Sequence, residues 1–112
     1  CLFSSGMVGD VCGEMQQLCA EAVELLSSGQ PDEAAKKVEQ MRFYWDSRCS
    51  VLTAVLPHGA VAEIGSVLIE SSADLSAGEE EEFEGDMRLL GELLRRMEED
   101  ERLTLSNILS IC

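Results

Sequence analysis

The chain has 112 residues, 46% of them hydrophobic and 27% charged, which is one domain's worth of length and too apolar for a disordered segment. Eight basic residues against 22 acidic leave a net charge of −14. Such a surface repels phosphate backbones and anionic lipid headgroups, so nucleic acid is excluded as the expected partner.

The chain opens at Cys1, not Met, followed by Leu2 and Phe3. Residues 1–8 read as the end of a removed anchor or linker, within a single helical domain spanning 1–112. No apolar run of about 18 residues, the length a membrane helix needs, is present. From Val8 onward, Val11, Met15, Leu18, Ala22 and Leu25 follow at spacings of 3 and 4, which draws one seam along a first helix. Ser27-Ser28-Gly29 ends it, with Gly29 suited to the left-handed position after a helix.

Pro31, Asp32 and Glu33 suit a helix start, because proline is tolerated in the first turn and acids favour the positive end of the dipole. The second seam is Ala34, Val38, Met41, Trp45, Cys49, Leu52 and Leu56, with Tyr44 or Phe43 flanking the indole. Pro57 ends this helix, since the residue before a proline avoids helical angles. A third helix from about Gly59 carries Val61, Ile64, Leu68, Ser71 and Leu75, with Gly65 inside it as a point of close helix approach. Gly78 marks its stop. The fourth helix opens on the run Glu79-Glu80-Glu81-Glu82 and continues through Phe83, Met87, Leu90, Leu94 and Met97. The apolar tail, Leu103 to Cys112, is expected to turn after the charged stretch 98–102 and form a short helix. That helix would pack Leu105, Ile108 and Leu109 on the same molecule.

The breaks near 28–31, 57–59 and 76–79 predict an all-α protein: an antiparallel, up-down four-helix bundle with a short C-terminal helical tail. The first hairpin, with its Gly-Gln-Pro-Asp-Glu-Ala-Ala turn, is tetratricopeptide-like.

Tools for chemistry are few. The cysteines, Cys1, Cys12, Cys19, Cys49 and Cys112, form no Cys-x-x-Cys. Cys12 and Cys19 share a helix face two turns apart, too far for a disulfide. With Cys49 they read as small packing residues, and zinc-ligand spacing is missing. His58 is the one histidine, and its expected role is to cap or bridge the start of the third helix through Glu63. Trp45 reads as core, with ligand stacking as the alternative. Asn107 reads as a backbone-bonding residue that fixes the tail, with partner recognition as its alternative. The Glu79–Glu84 stretch lacks calcium-loop spacing. No metal, cofactor or enzymatic activity is expected.

Several features in order resemble a bacterial family, the Firmicutes proteins grouped as domain-of-unknown-function family 4363. They are the Leu-rich first helix (Leu18, Leu25, Leu26), the Gly-x-x-x-x-Ala turn from Gly29 to Ala34, and Trp45 late in the second helix. His58 with Glu63 five residues on, and the ending Leu103, Leu105, Ser106, Asn107, Ile108, Leu109, complete the pattern. The similarity spans roughly residues 15 to 109. It implies no activity. It implies a location: an acidic helical domain outside the cytoplasmic membrane, anchored by an N-terminal segment absent from these residues.

The expected function is therefore a non-catalytic interaction or structural module. Its partner would be another envelope protein or a second copy of itself. The alternative is a small-ligand or cofactor-binding bundle with a cavity near Trp45 and His58.

Overall fold

The computed structural model describes the backbone of residues 2–111 and the side chains of residues 6–103 and 106. Four helices make up the fold: α1 (Leu2–Ser27), α2 (Pro31–Val55), α3 (His58–Ser76) and α4 (Glu80–Ile111). Helix α1 packs on α2 and α4, and α3 packs on the same two, which closes a four-membered ring around one core. The body measures 52 × 21 × 19 Å. Its long axis matches the roughly 48 Å expected of the 32-residue α4 at about 1.5 Å per residue.

Each break has a local cause. Gly29 and Gly78 take φ of 77° and 76°, the left-handed region that only glycine enters cheaply. In both turns two backbone bonds close the helix end. Gly29 N–H donates to Leu26 and Gln30 N–H to Leu25; Gly78 N–H donates to Leu75 and Glu79 N–H to Asp74. The α2–α3 junction uses proline instead: Leu56 is extended at φ −125°, ψ 158° ahead of Pro57.

The seams expected from the sequence form the core. Val8, Val11, Met15, Leu18, Ala22, Val38, Met41, Trp45, Leu52, Ile64, Leu68, Phe83, Leu90 and Leu94 are all buried. Two details differ. Leu26 rather than Leu25 closes the α1 seam, with Leu25 half-buried. Cys12, Cys19, Val67 and Leu93 widen each stripe to the breadth a helix needs when it touches two neighbours. Tyr44 flanks Trp45 while Phe43 stands 78% exposed. Helix α1 runs through the segment expected to be anchor or linker, and Val8 is already core.

The C-terminal expectation needs a larger correction. No turn separates the tail from the fourth helix: α4 is continuous to Ile111. Residues 98–106 contain neither glycine nor proline, and Glu, Arg and Leu propagate a helix well. Leu103 is 58% exposed. The side chains of Leu105, Asn107, Ile108 and Leu109, on which the packing expectation rested, lie outside the described residues. Among the described residues no helix is long and apolar enough to cross a membrane.

Candidate functional site

The reactive groups are scattered or silenced. His58 is the first residue of α3, exposed, and makes no cap; Pro57 holds the N-cap position without a side-chain bond. Glu63 is also exposed, and no hydrogen bond joins it to His58, so the expected bridge is absent. With His58 at the very start of the helix, nothing brings the ring back over the first turn.

The Cys12 thiol donates to the Leu94 carbonyl at 3.4 Å, and the Cys19 thiol to the Met41 sulfur at 3.7 Å. Burial pushes both thiols up to about 12, aided at Cys12 by the Glu98 carboxylate. They are protonated packing groups, not nucleophiles. Cys49 is free and half-buried.

Trp45 is 1% exposed and fills the space between α2 and α3. Its indole N–H is buried without a partner among the described residues. A Cβ on Gly65 would sit 3.9 Å from that nitrogen, an ordinary contact. The glycine expected as a point of close helix approach lies beside the ring, but the ring does not demand it sterically. Of the two residues expected to border a cavity, Trp45 is buried in the core and His58 is exposed at the start of α3. A hollow of about 270 Å³ lies on that flank, lined by Arg42, Asp46, Ala62, Gly65, Ser66 and Ile69 among others, and neither Trp45 nor His58 lines it.

Two features were not foreseen. The first joins Glu70 and Asp74, one turn apart on α3, to Asp86 on α4. One ligand oxygen from each lies within 4.8 Å of the others. One Asp86 oxygen is buried and unbonded among the described residues. Burial raises Asp86 to about 7, reinforced by hydrogen bonding to Asp74 and by the charges of Asp74, Glu70 and Glu82. At neutral pH Asp86 therefore keeps its proton for much of the time. These hard oxygens are the kind that divalent cations accept, though three is about half the complement calcium takes. The sequence signal was the Glu70/Asp74 pair itself. Folding the chain at Gly78 brings residue 74 opposite residue 86.

The second is a groove of about 710 Å³ between α1 and α4. Cys19, Ala20 and Val23 line one wall, with Gln16 and Glu24 at its rim. Met87 and Gly91 line the other, with Glu84 and Arg88 at its rim. Ala20 and Gly91, two of the residues that line it, bring a methyl group and no side chain to its walls. Its signal was the placement of small residues beside the seams, which periodicity of large residues does not register.

No curated protein and no solved structure matches the chain. The core seams and the two glycine turns all lie within residues 2–108, which match the family described as Domain of unknown function (DUF4363), and the chain belongs to that family.

Proposed function

We propose that the chain is a non-catalytic helical interaction module, held on the outer face of the cytoplasmic membrane of a Firmicutes bacterium by an N-terminal membrane segment. The location rests on the family resemblance. The interaction role rests on the α1–α4 groove, an apolar cleft left open between two packed helices. The burial of the Cys12 and Cys19 thiols and the isolation of His58 favour binding over chemistry.

The same reading takes the bundle as antiparallel and up-down. Lys37 meets Glu21 and Cys19 meets Met41, so rising numbers on α1 pair with falling numbers on α2. The Cys12–Leu94 bond beside the Gly9–Glu98 approach has the same sense for α1 and α4. The tetratricopeptide likeness is confined to the turn, for the α1–α2 hairpin spans residues 2–55 and that repeat has a period of about 34.

Photocrosslinking in the producing cell tests the role. A photoreactive residue is placed in turn at exposed positions on every helix, including Ala20, Phe43, Ile69 and Leu89. A discrete protein adduct confined to one face supports the module. Absence of any adduct from all faces overturns it.

The groove volume also suits a small apolar ligand, whose pockets run to roughly 300–1,000 Å³. This second reading keeps the ligand-binding alternative but moves it from Trp45 and His58 to α1 and α4. Native mass spectrometry of the protein purified from its own cells would show such a ligand as a discrete added mass.

A further inference from the structure

From the groove's shape and charge we infer that its occupant is one turn-and-a-half of a basic amphipathic helix from a partner protein. This rests on the interaction reading and specifies its partner.

The floor sets the apolar half of the recognition. Cys19 and Met87 are buried at its base, with Ala20, Val23 and Gly91 above them. From Gln16 to Glu24 the α1 wall is about 12 Å long, and from Glu84 to Gly91 the α4 wall is about 10 Å. Two apolar side chains four residues apart on a guest helix are about 6 Å apart and fit within that length. A longer apolar face would run past the floor onto the charged rim.

The charge selects the sign. Helix α1 carries no lysine or arginine along its whole length, while Asp10, Glu14, Glu21 and Glu24 lie on it. Glu24 and Glu84 stand exposed at the rim, and no ion pair among the described residues engages either. The one cation at the rim is Arg88, one turn from Glu84. On a chain of net charge −14, an acidic guest or a second copy of this chain meets repulsion along the α1 wall. A guest with lysines or arginines flanking its apolar pair meets Glu24 and Glu84.

The test uses the full chain and synthetic peptides of roughly 18 residues, long enough to hold a helix. One peptide carries leucines at i and i+4 with lysines beside them. A second has the same composition with the leucines scattered, and a third has glutamate for each lysine. Fluorescence anisotropy reads binding. The first peptide should bind at least about tenfold tighter than either other. Gly91→Gln fills the groove without changing the net charge, and an added Cβ there meets nothing within 4 Å, so the fold tolerates it. Gly91→Gln and Ala20→Gln should each abolish the preference for the amphipathic peptide. Glu24→Gln with Glu84→Gln should weaken binding about tenfold and flatten its salt dependence, while Glu33→Gln on α2, outside the groove's lining, should change nothing. Equal binding of the scattered peptide, or undiminished binding by Gly91→Gln, overturns the proposal. Groove failure together with a crosslinked adduct from Phe43 or Ile69 leaves the interaction module standing and moves its surface.

Discussion

Trp45 is the largest fully buried side chain, and its indole N–H is orphaned. Removing the ring leaves a cavity between α2 and α3 that the helices cannot fully collapse. Trp45→Ala should therefore cost about 3–5 kcal/mol, read from urea unfolding. A loss below about 1 kcal/mol would show that the ring does not hold the core. Asp86 makes a prediction of opposite kind. Its folded value of about 7 stands above its ordinary 3.8, so the folded protein holds the proton more tightly than the unfolded chain does. The stabilisation is fully present below about 3.8 and is lost as pH rises through about 7. Asp86→Asn should raise the urea midpoint at pH 8, where the native carboxylates repel, and change it much less near pH 5. A difference between the two proteins that stays constant with pH would contradict the raised Asp86.

At the scale of the helix, α4 shows how a seam can carry a charge inward. The rhythm of Phe83, Met87, Leu90, Leu94 and Met97 steps next to residue 101, and Glu101 is buried there, beside Val8 and Gly9. The stretch 98–102 looks uniformly polar in composition, so Glu101 passed as surface. Its position on the apolar stripe, not its type, decided its burial. Burying a carboxylate costs desolvation that an aliphatic side chain avoids. Glu101→Leu should raise stability by about 1–2 kcal/mol in urea unfolding. A loss of stability would mean that the carboxylate has a partner there that matters. The same continuity explains the tail: a helix without glycine or proline between 98 and 106 had no reason to stop.

For the whole molecule, the charge imbalance dominates. Among the described residues every ion pair but Lys37–Glu21 joins residues on a single helix, and such exposed local pairs contribute little. Lys37 holds Glu21 below its ordinary value through a direct hydrogen bond, assisted by Gln17, and ties α1 to α2. Self-repulsion at a net charge of −14 should outweigh these contacts. Raising sodium chloride from low to about physiological strength, where the screening length is about 8 Å, should increase the Tm. A Tm that falls with salt would show that the ion pairs carry more of the stability than their exposure suggests.

The sequence by itself determined the helices, their breaks and nearly all of the core. Seam spacing at 3 and 4 is a property of one helix, and Gly29, Pro57 and Gly78 act within a few residues of themselves. His58 was correctly placed at the third helix start, but its bond to Glu63 was not made, because side-chain reach is set by geometry that spacing does not contain. What lies between helices was decided only by tertiary structure. Asp74 and Asp86 are twelve apart in the chain, and neither is unusual alone; packing α3 on α4 gathers them with Glu70 and raises Asp86 to about 7. Ala20 and Gly91 are ordinary small residues until the packing of α1 on α4 places both in the lining of one groove. Periodicity reports which face of a helix turns inward, whereas a cleft or a carboxylate cluster depends on which two faces meet and at what register.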